Sequence, residues 1–373
     1  MMNQRLVAPR GGVPSQGGGP ATPGQSVLAT IVPGQMVPST PTELIKWMGC
    51  IQAQDYAMAK WAVGCRLPKA TDAGIEKDFN EGKILRTHVL RPTWHFVCPE
   101  DIRWMLRLNA PKVRALTRPY HRQLGIDQAI LKKSRALLLK ALGEHGRLTR
   151  PQLAEVLRKG KIATDDARLG HLLMEAELDA IICSAGRTGK QFAYGLLDVQ
   201  APLSGPADGK LSQAPMFHKE EAIVELARRY FPSRGPATVQ DFAWWGGLTL
   251  TEARKGLDAV RTGLESVTLD GNEYWFTTSV FAGVPDNTDL LPAFDEYTVA
   301  YKNRDDVLDP AHAAACFYGL KPIVVHHTRV VGIWQRSLKK GKVVVEITPF
   351  KGIKPVPARA LAAAVKKFEE FVT

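Results

Sequence analysis

The sequence predicts an α+β fold, mainly α, in the form of three tandem winged-helix modules with a C-terminal β appendage. Two stretches repeat one order of elements: three segments with helical apolar spacing, then two short apolar runs separated by a turn. A stretch near the start of the body has the same ingredients. Three helices closed by a hairpin is the winged-helix layout, in which the third helix is the groove reader and the hairpin is the wing. From Asp289 onward the chain turns β-rich before one last helical segment.

At 373 residues the chain is too long for one compact core, so several domains are expected. Lys plus Arg number 49 against 37 Asp plus Glu, a formal net charge of +12. Such an excess favours a polyanionic partner, nucleic acid first, because cations that neutralise phosphates release condensed counterions. A generally basic proteome would leave the same mark. The five cysteines, Cys50, Cys65, Cys98, Cys183 and Cys316, are scattered, odd in number and lack any Cys-x-x-Cys pair. That argues against a disulfide framework and a zinc ribbon, and fits a reducing compartment. No run approaches the ~20 apolar residues of a membrane span. Arg5 and Arg10 are not followed by the apolar block of a signal peptide, so the expected location is cytoplasmic.

Residues 1–37 are rich in Gly, Pro, Ser and Gln and are expected to form a disordered tail. The first module, 38–125, opens at Thr40, an N-cap, with Pro41 at the first helical position and Glu43 completing a capping box. The pattern breaks at IQAQD, where Asp55 can cap a second helix through YAMAKWAVGCRL. A third helix is expected around Ile75 to Gly82. The runs ILRTHVL and TWHFVCP read as strands joined around Arg91-Pro92, and a helix follows from Pro99 to about Ala110.

The second module, 126–204, holds AILKKSRALLLKALGEHG, TRPQLAEVLRKG and ARLGHLLMEAELDA, the last capped by Thr164-Asp165-Asp166. Its strands IICSA and QFAYGLL flank the basic, Gly-rich tip GRTGK, which places Arg187 and Lys190 on a wing. GPADGKLSQAP reads as a linker. The third module, 205–288, repeats the order with HKEEAIVELARRYFP, TVQDFAWWGG, TLTEARKGLDAV, LESVTLD and EYWFTT, the strands being split by Gly271-Asn272. The extension, 289–373, contains LLPAFDEY, PIVVHHTRVVGIWQRSL, GKVVVEITPF and a closing helix, ARALAAAVKKFEEFV, and is expected to pack on the last module.

The common catalytic arrangements are missing. There is no Ser nucleophile elbow, no His-Glu-x-x-His and no Walker loop. His326 and His327, as neighbours on a strand, are expected to point to opposite faces, so neither a metal nor a cofactor is expected. Against that background GCIQAQD stands out, with Gln52 and Gln54 two apart at a junction between helices. In an extended segment i and i+2 project to one side, so both amides can enter one cleft. In a continuing helix they would diverge by about 200°. Amides at junctions also commonly satisfy helix ends, which leaves a purely structural role open.

The segment GCIQAQDYAMAKWAVGCRL, followed by ILRTHVLRPTWHFVCPEDIRWML and later by LLPAFDEYTVAYKNRD, resembles the AlkZ-type winged-helix DNA glycosylases from Thr40 to the C-terminus. In that family a Gln-x-Gln or Gln-x-Asp element supplies the catalytic side chains, and the matching positions here are Gln52 and Gln54. The resemblance implies three tandem winged helices with a concave basic face for double-stranded, damaged DNA. It also implies a hairpin that probes the duplex. The best candidate runs from Val324 to Trp334 and Lys342 to Ile347, with Lys339, Lys340 and Lys342 at its basic turn.

Two amides suit a particular substrate. Breaking an N-glycosidic bond passes through an oxocarbenium-like sugar that water then attacks. A neutral purine needs protonation to leave, whereas alkylation at N7 or N3 leaves the base cationic and ready to depart. The remaining work is to orient water and support positive charge, which amide oxygens can do. The expected activity is therefore excision of alkylated bases, extending to interstrand crosslinks.

His88, Arg91, Thr93 and His95 of RTHVLRPTWHF are candidates for phosphate contact or for lining the cleft, while Trp94 reads as core. A core role for the histidines is equally open. Asp295 and Arg304 read as a structural pair, with a catalytic Asp295 as the lesser reading. The rival function is a non-enzymatic DNA-binding protein such as a transcriptional regulator. A regulator usually dimerises to match a palindromic site, whereas three modules in one chain can cover DNA as a monomer.

Overall fold

The computed structural model describes residues 38–165, 167–202, 217–277, 287–339 and 342–373. The expected tail and the whole of the expected linker lie outside these residues. In chain order the first elements are α1 (Pro41–Met48), β1 (Ile51–Gln52), α2 (Tyr56–Gly64), α3 (Asp72–Asn80), β2 (Leu85–Val89), β3 (Thr93–Val97) and α4 (Pro99–Gln123). Then come α5 (Gln128–His145), β4 (Arg147–Thr149), α6 (Arg150–Lys159), α7 (Arg168–Leu178), β5 (Ile182–Thr188), β6 (Gln191–Leu196) and α8 (Leu197–Gln200). The remainder holds α9 (Lys219–Arg234), α10 (Val239–Gly246), α11 (Leu250–Val260), β7 (Glu265–Leu269), β8 (Asn272–Phe276), β9 (Thr288–Leu291) and α12 (Glu296–Val299). Strands β10 (Ile323–His326), β11 (Arg329–Lys339) and β12 (Lys342–Pro349) precede the closing α13 (Ala358–Val372). The protein is a mixed α/β structure, and α9, α10 and α11 are followed directly by the β7–β8 pair, whereas short strands β1 and β4 interrupt the helices that precede the β2–β3 and β5–β6 pairs.

Local chemistry accounts for most boundaries. Asp55 caps α2 by accepting from Met58 N at 3.1 Å. Thr149, Thr238 and Thr249 each form a capping box with Gln152, Asp241 and Glu252, which starts α6, α10 and α11. Helix α4 overruns its expected end near Ala110 despite Pro111 and Pro119. Its stripe of buried residues, Ile102, Met105, Leu106, Asn109, Val113 and Thr117, continues past the first proline at helical spacing, and that burial outweighs the lost N–H. Helix α7 is capped by Ala167 without a side-chain bond, not by the Thr164–Asp166 run. The β7–β8 turn is Asp270-Gly271, both at positive φ, and Asn272 is already in the strand. The expected long strand through Val324–Trp334 is two strands, because His327 and Thr328 adopt positive φ and reverse the chain. The LLPAFDEY stretch ends as a strand at Leu291 and re-forms as α12, capped by Asp295.

The chain divides into two compact units. One comprises residues 41–54 and 73–223. It contains a six-stranded sheet in the order β1-β3-β2-β5-β6-β4, in which Arg86 of β2 lies opposite Ser184 of β5 and joins two hairpins into one sheet. A leucine-rich core under the β4-β5-β6 end is built from Leu138, Leu142, Leu153, Leu157, Leu172 and Tyr194. The other unit comprises the described residues among 1–40, together with 55–72 and 224–373. It contains the β12-β11-β10-β9 sheet and the β7-β8 hairpin. Helix α2 packs there on α13: Trp61 meets Phe368 edge-on at 5.1 Å and donates from Nε1 to Leu290 O at 2.7 Å. Gly64 lies against the Phe371 ring, where any Cβ would collide.

Candidate active site

The Gln-x-Gln element follows α1, which ends at Gly49 in the left-handed region, a conformation that suits glycine. Strand β1 then pairs antiparallel with β3, Ile51 opposite Phe96 and Gln52 opposite His95. The extended geometry carries on to Ala53, whose N–H donates to Trp94 O at 2.7 Å. The junction is therefore extended and not helical. Gln52 is buried, at 7% exposure, and Gln54 is exposed.

Arg86 fixes the same residue from the other side. Its Nε donates to Ala53 O at 3.0 Å, so both backbone polar groups of Ala53 are engaged. Arg86 is 4% exposed, and its guanidinium lies 4.3 Å from the Trp94 ring centre and 4.5 Å from that of Phe192. A cation between two aromatic faces retains favourable electrostatics where water is excluded. Sequence reasoning missed Arg86, although a lone arginine inside the apolar run ILRTHVL was a visible signal.

The other predicted residues are placed as follows. Gln52, His95 and Thr87 share one row across β1, β3 and β2. His95 is fully buried and donates from Nδ1 to Thr93 O at 3.0 Å. His88 lies against Trp94 with its ring tilted by 41° and pairs through Nδ1 with the carboxylate of Glu177, a fully buried residue; it is a partnered, buried histidine here. Thr93 begins β3 and is half-buried. Arg91 occupies the β2–β3 turn, also half-buried. Arg187 lies 3.4 Å from Glu76 and caps Lys190 O at 3.1 Å, which ties it to its own unit, whereas Lys190 is exposed at the tip of the β5–β6 hairpin.

The basic hairpin is formed by β11 and β12, paired from Gly332 opposite Pro349 to Lys339 opposite Lys342. Its first strand begins at Arg329, not at Val324. Lys340 lies outside the described residues. The expected Asp295–Arg304 pair is corrected: Asp295 accepts a bidentate pair from Arg66, at 2.9 and 2.7 Å, and Arg304 donates instead to Thr298 O at 2.7 Å. Both Arg66 and Asp295 are buried. The neighbouring Glu296 accepts from Arg234 at 3.0 and 2.8 Å and from Trp245 Nε1 at 3.0 Å. In the DEY block both carboxylates are thus paired with buried arginines.

His326 and His327 do not diverge. His327 sits in the turn, and the two rings lie 4.0 Å apart. Among the described residues no group of three His, Cys, Asp or Glu is arranged to hold a metal, and no helix is long and apolar enough to cross a membrane. All five cysteines are buried free thiols.

A family model described as DNA glycosylase AlkZ-like matches residues 45–371. Among known proteins, an interstrand DNA cross-link repair glycosylase from Streptomyces sahachiroi is 24% identical over 328 residues, covering 83% of this chain and 85% of that protein. Among solved structures, the Streptomyces sahachiroi DNA glycosylase AlkZ has a similar fold, with a TM-score of 0.70 at 21% identity, covering 91% of this chain and 92% of the other. A match that spans most of the sequence settles the assignment: the chain belongs to the AlkZ-like DNA glycosylase family.

Proposed function

We propose that this protein is a monofunctional DNA glycosylase that releases alkylated, cationic purines from double-stranded DNA, interstrand crosslinks among them, with Gln52 and Gln54 as its catalytic residues. Family membership supports the reaction, and the name of the Streptomyces relative supports the crosslink substrate. The observation that carries the site assignment is the clamped Ala53. With its N–H held by Trp94 and its oxygen by Arg86, the segment is kept extended, the geometry in which residues two apart project to one side.

Neutral amides cannot protonate a leaving base, and an N7- or N3-alkylated purine needs no proton to leave. Gln54, the exposed member, orients the attacking water, while the buried Gln52 oxygen supports positive charge on the sugar. The polypeptide binds DNA as three winged-helix modules, 38–125, 126–204 and 205–288, followed by the 289–373 extension, and acts as a cytoplasmic monomer. Lys190, Arg91 and the hairpin lysines Lys339, Lys340 and Lys342 contact phosphates.

The test is release of N7-methylguanine from methylated duplex DNA under single-turnover conditions, with alkali used to reveal abasic sites. Gln52→Ala and Gln54→Ala are expected to slow release by about 10²–10⁴-fold, the range for losing an oriented proton acceptor, with DNA affinity little changed. Gln54→Glu is expected to keep part of the activity and to introduce a new pH dependence from its carboxylate. Absence of release by the wild-type protein would favour the regulator reading.

A further inference from the structure

A recess of about 360 Å³ opens between the C-terminal half of α4, the start of α5 and the end of α7, all within one compact unit. Arg114, Arg118 and Arg122 line it from successive turns of α4, and Arg135 lines it from α5. Two carboxylates share the space. Glu175 and Asp179 are both engaged by Arg114, and Asp179 also by Arg135. Those two guanidiniums are therefore matched by the two acids, whereas Arg118 and Arg122 make no ion pair among the described residues. Like charges at i and i+4 repel by about 0.2–0.5 kcal/mol, and the two acids offset that repulsion only at Arg114 and Arg135, which leaves the Arg118–Arg122 pair without a counter-charge among the described residues.

A second observation points the same way. His121, also in the lining, is only 9% exposed, and its Nε2 is buried without a hydrogen-bond partner among the described residues. A buried polar nitrogen left unmatched is costly, and a ligand oxygen would satisfy it. Planar guanidiniums fit the oxygens of a tetrahedral oxyanion two at a time, which suits phosphate better than a point cation would.

We propose that this recess is a phosphate-binding site, with Arg118 and Arg122 as the ligating cations and His121 Nε2 as a further contact. It is built from α4, α5, α7 and the residues Ile126 and Asp179 beside them, and does not include the Gln52–Gln54 element. The phosphate belongs either to the DNA backbone or to a free small anion. Only the first source rests on the DNA-binding reading of the family.

The full chain and an Arg118→Gln/Arg122→Gln variant are compared in two ways. Both substitutions replace exposed residues, so folding is expected to be retained, and this is checked by circular dichroism. In the first comparison, inorganic pyrophosphate is titrated at low ionic strength and the thermal midpoint recorded. Wild type is expected to shift upward with concentration, and the variant is expected to lose at least half of that shift. In the second, duplex DNA affinity is measured from about 50 to 200 mM salt, where each neutralised phosphate contributes about 0.9 to the log–log slope. A slope smaller by about 0.9 in the variant, one phosphate contact, assigns the phosphate to DNA. Loss of the pyrophosphate response with an unchanged slope assigns it to a free anion. Neither response changing overturns the site. Base release by the wild type is scored separately, so an inactive glycosylase and an empty recess are distinct outcomes.

Discussion

Arg86 donates from Nε to the main-chain oxygen of Ala53, so one buried cation holds the residue that separates Gln52 from Gln54. The hydrogen bond is 3.0 Å long, and the two aromatic faces beside the guanidinium restrict its movement. Arg86 acts through backbone placement and is a positioning residue. Misplacing a reacting group by an ångström can cost about 10² in rate. Arg86→Lys keeps the charge and loses the planar Nε–H, and is expected to slow base release by about that factor with DNA affinity little altered. The measurement is single-turnover release beside a binding titration. A wild-type rate in a folded variant would leave the clamp without catalytic importance.

Asp295 and Arg66 make the opposite kind of prediction, on stability alone. Asp295→Ala leaves a buried guanidinium unpaired and also removes the α12 cap, since Asp295 Oδ1 accepts from Tyr297 N at 2.8 Å. Breaking one side of a buried pair costs about 3–5 kcal/mol. Denaturant unfolding is expected to show a loss of that order, and the double variant Arg66→Met/Asp295→Leu to recover a good part of it. If the double variant is no more stable than Asp295→Ala, the unpaired charge is not the source of the loss.

His171 sets a pH-dependent term. Burial pushes its pKa below the ordinary 6.5, and the neighbouring His121 and, to a lesser extent, His88 push the same way against Glu175. The unfolded chain therefore takes up this proton first as pH falls. Below about pH 6.5 the unfolded state binds more protons than the folded one, and stability declines until the folded pKa is passed. His171→Gln is expected to flatten that decline when melting temperatures are compared between pH 7.5 and 5. Parallel curves for the two proteins would show that His171 contributes nothing to it.

The β11–β12 hairpin bears on DNA affinity. Replacing Lys339, Lys340 and Lys342 with alanine is expected to weaken duplex binding and to reduce its salt slope, because each lost phosphate contact removes about 0.9 from it. The strands below the turn keep their register from Gly332 to Leu338, so the variant is expected to fold normally. Weaker binding with an unchanged slope would point to a contact other than phosphate.

Helices were legible where periodicity and caps agreed. The closing helix was expected at 358–372 and is found there, and Asp55 caps α2 as its position indicates. Features set by distant partners were not legible. Nothing near Asp295 reveals that its counter-ion is Arg66, 229 positions away, and Arg304 was the nearest plausible substitute. The β10–β11 reversal at His327-Thr328 was hidden because no Gly, Asn or Asp marks it and a β-branched threonine rarely adopts positive φ. Of the candidate site, family resemblance supplied the two glutamines. Arg86 stood out in its apolar run, but its bond to the Ala53 oxygen, 33 positions away, leaves no local mark in the sequence.

The join between β2 and β5 has a consequence for how the protein is made. Arg86 and Ser184 lie roughly a hundred positions apart, so the six-stranded sheet cannot close until that whole length has been synthesised and its ends have met. Contacts between distant positions slow folding, because the closure entropy is spent before the pairing gives anything back. Until then the edge of β2 stands open to strands of other chains. A nascent polypeptide that stalls before Ser184 would expose that edge on the ribosome, where an unpaired strand edge invites aggregation.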